Sequence, residues 1–169
     1  TYPGLIHLYK NQDVFDQAAL IQYGQDVLTS LPNQPTLSTG YATSEWFELL
    51  GAKMHMGRAF EETEALDTFN PVAIISNKIW QDEFASAADM LDKKVSFSGV
   101  SYRVIGVLGE SFIEPQIRQV GRDVGMWFPW DYNIDVRMKE RWGNISGALT
   151  FVGKLKDTLS AAQAEQIIT

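Results

Sequence analysis

The stretch VAIIS at residues 72–76 is an unbroken apolar run rich in β-branched residues, without the alternation of a half-exposed strand. Such a run reads as a strand buried on both faces, and it needs a covering layer above and below. Directly after it, NKIWQDEFAS carries helical spacing, with Ser76 or Asn77 as N-cap. KVSFSGVSYRVIGVL at residues 94–108 alternates on either side of Ser98-Gly99, a strong hairpin signal. Strand–helix units mixed with hairpins in 169 residues predict an α+β fold, with two small α/β sandwich-like subdomains.

The remaining elements fit around that centre. LIHLY (Leu5–Tyr9) reads as a strand. In VFDQAALIQYGQDVLTS (14–30) the first half is helix-like and the second strand-like, with a break at Gly24. SLPNQPT is a loop and LSTGYAT a strand. SEWFELLGA predicts a short helix from an N-cap at Ser44 to Gly51. EETEALDTFNP (61–71) reads as an acidic loop, and GESFIEPQIRQVGRDVG (109–125) as irregular and solvent-facing. MWFPW (126–130) holds Pro129, which suits an edge strand or a strand end. GALTFVGKLK (147–156) places Leu149, Phe151, Gly153 and Leu155 on a core face, partnered by a last helix capped by Ser160.

Composition removes several function classes. The formal net charge is -7, which repels phosphate backbones and argues against nucleic acid as a partner. The densest basic group, VRMKER (136–141), reads as a solvated face. The chain has no cysteine, so it has no thiol nucleophile, disulfide or thiolate metal site. Neither a phosphate-binding glycine loop nor a G-x-S-x-G elbow occurs. Only His7 and His55 could serve as an imidazole base. The carboxylate pairs Glu61/Glu62, Glu64/Asp67 and Asp82/Glu83 read as solvated rather than as convergent acid–base sets. No apolar run approaches the roughly 20 residues of a membrane helix. The abrupt TYPGLIHLYK start and the helix-like SAAQAEQIIT end read as those of a piece cut from a longer protein.

Two stretches keep a binding reading alive. MWFPWDY could stack a sugar or a base or form a partner patch, although core burial is the commoner fate of such a cluster. KMHM (53–56) supplies thioether and imidazole groups that suit Cu(I). In a regular strand, however, Met54 and Met56 share one face and His55 takes the other, which opposes chelation of one ion. Methionine is also a common filler of irregular cores.

The order of segments carries a resemblance. YATSEWFELLGAKMHMGRAFEETEA, NPVAIISNKIWQDEF, LDKKVSFSGVSYRVIGVLGESF, DVGMWFPW and LTFVGKLKDTLSAAQAEQI follow one another from Tyr41 to near the end. This resembles the periplasmic core domain of MacB-like ABC transporter permeases, within the FtsX-like permease family. The matching positions include Gly51, Gly57, Arg58, Trp80, Gly99, Gly106, Trp127 and Pro129, a structural motif rather than a catalytic one. The resemblance implies a βαβ-rich porter-like unit (about 1–85 plus 145–169) and a smaller β-rich inserted unit (about 86–144). It implies a non-catalytic domain with no cofactor or metal of its own, set between membrane helices. That domain would couple cytoplasmic ATP hydrolysis to export or to a periplasmic partner such as an adaptor. The permease would be a homo- or heterodimer, with the ATPase as a subunit or a domain of the inner-membrane protein. The alternative is a free-standing periplasmic module for a small ligand or a metal. Within the motif, Gly57 is to be examined for a backbone conformation that side chains forbid, and Arg58 for a structural ion pair.

Overall fold

Tyr2, Leu5, Ile6 and Tyr9 recur at spacings of three and four, the period of a helix. In the computed structural model, which describes residues 2–117, 119–133 and 149–168, they lie on α1 (Tyr2–Asn11). All four pack against Leu20, Trp130 and Leu149. The strand expected at Leu5–Tyr9 is thus a helix. A short apolar run looks strand-like until Tyr2, three residues before it, is counted into its period.

The opposite correction applies next. Phe15–Val27 is one continuous 13-residue strand, β1, with no helical first half. Ala18 and Ala19 favour helix by propensity, yet both are buried and pair with Gly153 and Val152 of a neighbouring strand, while Ile21–Val27 pair with a second strand on the other side, and that tertiary setting overrides the preference. Those neighbours are β2 (Thr36–Ala42) and β8 (Thr150–Leu155). Gly24 does not break β1. It pairs with Thr39 and leaves room for the Tyr41 ring.

The other strands are β3 (Met54–Gly57), β4 (Val72–Ile75), β5 (Lys94–Phe97), β6 (Val100–Leu108) and β7 (Val124–Pro129). The described strands form one eight-stranded sheet in the order β3-β6-β4-β7-β2-β1-β8, with β5 also paired to β6. It is mixed: β4–β6 and β2–β7 are parallel and the other pairs antiparallel. β4 sits inside it with all four residues buried. β7 is a central strand between β4 and β2 rather than an edge, and Pro129 is tolerated because it is the last residue of the strand. β6 and β7, from the 86–144 segment, pair with β3, β4 and β2, so a single sheet runs through both expected subdomains.

Each face carries a core. On one, Ala73, Ile75, Tyr102, Val104, Met126 and Phe128 pack under α4 (Asn77–Phe84) with Ile79 and Trp80. On the other, Ala19, Ile21, Ile74, Ile105 and Trp127 pack under α2 (Glu45–Leu49) with Trp46 and Phe47. α4 starts at the Ser76 N-cap, whose side chain accepts from Ile79 N–H at 3.1 Å. α2 ends in a Schellman motif: Ala52 N–H bonds Phe47 C=O and Gly51 N–H bonds Glu48 C=O, with Gly51 at φ +64°. Ser44 holds the N-cap position but makes no side-chain cap. The expected loop at 61–71 contains a one-turn helix, α3 (Glu62–Ala65), formed because Glu61 and Glu64 make a reciprocal capping box. α5 (Ala161–Ile168) is capped by Ser160, which accepts from Gln163 N–H. The VRMKER stretch and the proposed boundary at 144/145 lie outside the described residues.

The β5–β6 turn has φ +46° at Ser98 and +76° at Gly99, the two positive values that a two-residue type I′ hairpin needs. A Cβ on Gly99 meets nothing within 4 Å, so Gly99→Ala adds backbone strain alone. Its expected cost is about 1 kcal/mol in chemical denaturation, with no change in the near-UV spectrum.

Candidate functional site

Gly57 and Gly106 face each other where β3 crosses β6. Gly57 has φ +72°, and a Cβ there would lie 2.1 Å from the Ile105 carbonyl oxygen. A Cβ on Gly106 would lie 2.4 Å from the Arg58 carbonyl oxygen. The two backbones touch because neither carries a side chain. Arg58 N–H donates to Ile105 C=O at 3.0 Å as the chain leaves the crossing. Its guanidinium then grips Glu64 with two bonds, Nη1 to Oε2 at 2.7 Å and Nη2 to Oε1 at 2.8 Å. Glu64 is only 5% exposed and also accepts from Glu61 N–H, so Arg58 is the counter-charge to a buried carboxylate. The Arg58 hydrogen bonds hold the Glu64 carboxyl below the usual carboxylate range, against the upward push of burial.

A second cluster lies under the loop between β6 and β7. Glu114 is 7% exposed, and it is the one buried residue among the described residues of 109–123. Its Oε1 accepts from Tyr23 Oη at 2.6 Å. Its Oε2 is buried without a hydrogen-bond partner among the described residues, as are the indole N–H groups of Trp127 and Trp46, which lie near enough to act on its charge. Burial pushes the Glu114 carboxyl up to about 7, against the opposing pull of Tyr23, Trp127, Trp46 and the Arg122 charge. Trp127 lies over the bare Cα of Gly40 and meets Phe47 and Phe112 edge-on. Beside Glu114 a cleft of about 270 Å³ opens between the loop and the start of α4, lined by Asn77, Gln81 and Trp127 among others. Nothing in the sequence marks Glu114: it is one of three acids in a segment read as solvent-facing. The same holds for Asp131, 1% exposed, which accepts from the backbone N–H groups of Asp67, Thr68 and Phe69.

The motif residues thus fall into separate places. Gly57, Arg58 and Gly106 meet at the β3–β6 crossing, and Trp127 belongs with Glu114. Trp80 packs on the other face and donates through Nε1 to Ala87 C=O at 2.9 Å. Gly51 and Gly99 serve two distant turns, and Pro129 ends β7. In KMHM, the expected sharing of one face by Met54 and Met56 does not hold. Met54 and Met56 pair with the adjacent residues Leu108 and Val107, so His55 is the extra residue of a β-bulge. The bulge sends Met54 to one core and Met56 to the other, while the His55 ring lies 4.6 Å from that of Trp80. His7 lies on α1, beside Asn11. Among the described residues, no three His, Cys, Asp or Glu side chains converge on a metal-sized site. A broad cleft of about 670 Å³ between α1, α2 and α3 is acidic, with Asp16, Glu45, Glu48 and Glu62 on its walls.

The pattern of the MacB-like periplasmic core domain matches residues 4–169. The chain belongs to that family. No curated protein matches its sequence significantly. The fold of this MacB-like core domain is shared with the periplasmic region of MacB from Actinobacillus actinomycetemcomitans, at TM-score 0.71 and 18% identity, covering 99% of this chain and 70% of that one. The extracellular domain of the noncanonic ABC-type transporter YknZ from Gram-positive bacteria superposes at TM-score 0.69 and 18% identity, covering 99% and 81%. A domain of a putative permease from Porphyromonas gingivalis does so at 0.67 and 16%, covering 98% and 65%. A MacB-like core domain is the extracytoplasmic part of an ABC transporter permease, which places this one outside the cytoplasm. None of its described helices is long and apolar enough to cross a membrane.

Proposed function

We propose that this domain is a non-catalytic transmission element that carries ATP-driven motion of membrane helices to an extracytoplasmic partner. One observation carries the reading. The elements at the two ends of the chain are attached to adjacent strands at one place: α1 leads into β1, β8 leads into α5, and Phe15 pairs with Leu155. Lys156 N–H adds a bond to Val14 C=O at 3.2 Å. Displacement of either end therefore enters the same pair of strands, which is continuous with the whole sheet. α1 is bolted down as well as connected. Tyr9 Oη donates to Glu45 of α2 at 2.7–2.8 Å, and Trp130 Nε1 donates to Tyr2 Oη at 3.0 Å. A stiff lever needs such docking, since a packed core passes on displacement that a loose hinge would absorb.

The partners that follow are the permease's own membrane helices, a cytoplasmic ATPase on the same or another chain, a second permease copy or homologue, and a periplasmic adaptor or substrate protein. The reading assigns this domain no cofactor. The test is a flexible Gly/Ser insertion of about eight residues after Asn11 in the full permease. The expected result is ATP hydrolysis retained and export lost, with the domain still folded by proteolytic resistance. Export at the unmodified rate would rule the reading out.

A further inference from the structure

Among its described residues, the loop at 109–123 is tied to the body at its two ends, by Gly109 N–H to Lys53 C=O at 2.8 Å and by the Asp123–Lys78 ion pair at 3.5 Å, and between them by a few side chains. Gln116 staples it internally: Nε2 donates to the carbonyls of Glu114 and Arg122, both at 3.0 Å, and Oε1 accepts from Arg122 N–H at 3.0 Å. Phe112, half-buried, rests edge-on against Trp127, with ring centroids 5.7 Å apart. Arg122 lies over the Tyr23 ring at 4.4 Å. Glu114 goes deepest of these attachments, and it is a carboxyl. Ile113 and Val120 point away from the body, 82% and 89% exposed.

We infer that this loop is a proton-controlled strap, locked over Trp46 and Trp127 while Glu114 is neutral and released when Glu114 ionises. Among the described residues, the groups that act on the Glu114 charge are Tyr23 from β1, Arg122 from the far end of the strap, and the indoles of Trp46 and Trp127 from α2 and β7; Lys78 of α4 and the loop's Glu110 and Asp123 line the cleft beside it. Glu114 Oε2 and both indole N–H groups are buried without a hydrogen-bond partner among the described residues, so the closed site does not fully solvate a carboxylate. Lifting the strap hands Glu114 to water, which does. The Gln116 staple joins Glu114 to Arg122 within the loop, and none of its three bonds involves the body, so lifting Glu114 need not break it. Opening bares the aromatic floor of Trp127 and Phe47 and widens the cleft beside α4.

The sign follows from linkage. Glu114 holds its proton more tightly closed, to about 7, than in the solvated open strap, where the ordinary value is 4.5. Closure is therefore favoured at low pH, weakens as pH rises through that window, and levels off above it. From pH 5 to pH 8 the opening equilibrium is expected to rise roughly 70-fold.

The experiment is indole N–H hydrogen exchange followed by NMR on the chain, corrected for intrinsic rate. Trp80, bonded to Ala87, serves as the internal control. Protection at Trp46 and Trp127 is expected to fall with pH by that factor, with Trp80 steady. In Glu114→Gln the dependence is expected to vanish. Tyr23→Phe removes a donor that stabilises the carboxylate, so its fall is expected to be displaced to higher pH, and this variant keeps the test available should Glu114→Gln fold poorly. A flat profile in the unmodified chain, or an equal fall in Glu114→Gln, would overturn the strap.

Discussion

Gly57→Val is expected to be the most damaging single substitution in this domain, lowering unfolding free energy by at least about 3 kcal/mol. Two independent costs combine. The residue sits at φ +72°, where a β-branched side chain is strongly disfavoured. Its Cβ would also stand 2.1 Å from the Ile105 carbonyl oxygen and 3.0 Å from the Gly106 Cα, and both obstacles are backbone. Relief requires β3 to lift from β6, breaking the Met56–Val107 and Gly57–Gly106 pairings. Urea denaturation measures the loss, and Gly99→Ala is the comparison with strain but no clash. Equal costs for the two would show that the crossing is not tight.

Arg58→Met is expected to cost about 2–3 kcal/mol at pH 7, and more than Glu64→Gln. The asymmetry comes from burial. Losing Arg58 strands a carboxylate that is 5% exposed, whereas losing the Glu64 charge leaves an arginine whose side chain is 41% exposed and can be hydrated. The pH dependence separates charge from packing. Glu64 has its folded value depressed by Arg58, so it contributes stability above about pH 4.5 that is lost as pH falls through the folded value. The gap between the unmodified chain and Arg58→Met should be widest at neutral pH and narrow towards pH 3. A gap that stays constant would assign the loss to packing of the arginine stem.

What the sequence disclosed follows the range of the forces involved. β4, α4 and the β5–β6 hairpin are legible because their signals are local: a continuous apolar run, a serine cap, a Ser-Gly turn. The start of the chain misleads, because α1 and β1 are decided by what they pack against. Ala18 and Ala19 become strand residues because β8 pairs with them and the rest of β1 is held between β8 and β2. The glycine at 57 is conspicuous in GR-x-F, but the oxygen that forbids a side chain there belongs to Ile105, 48 positions away. Glu114 is less legible still. An acid beside a proline in a loop resembles many solvated ones, and only its burial in the folded chain, against the opposing pull of Tyr23, Trp127 and Trp46, gives it a different proton affinity.

The pairing of Phe15 with Leu155 also sets how the domain bears load. Two antiparallel neighbours gripped at the same end separate like a zipper, one rung at a time, if their ends are drawn apart. Moved together, the two strands share the load, and no single rung is the weak point. The domain is therefore built to travel with its two anchors in step, and a spreading motion between them would begin to open the β1–β8 seam at Phe15–Leu155.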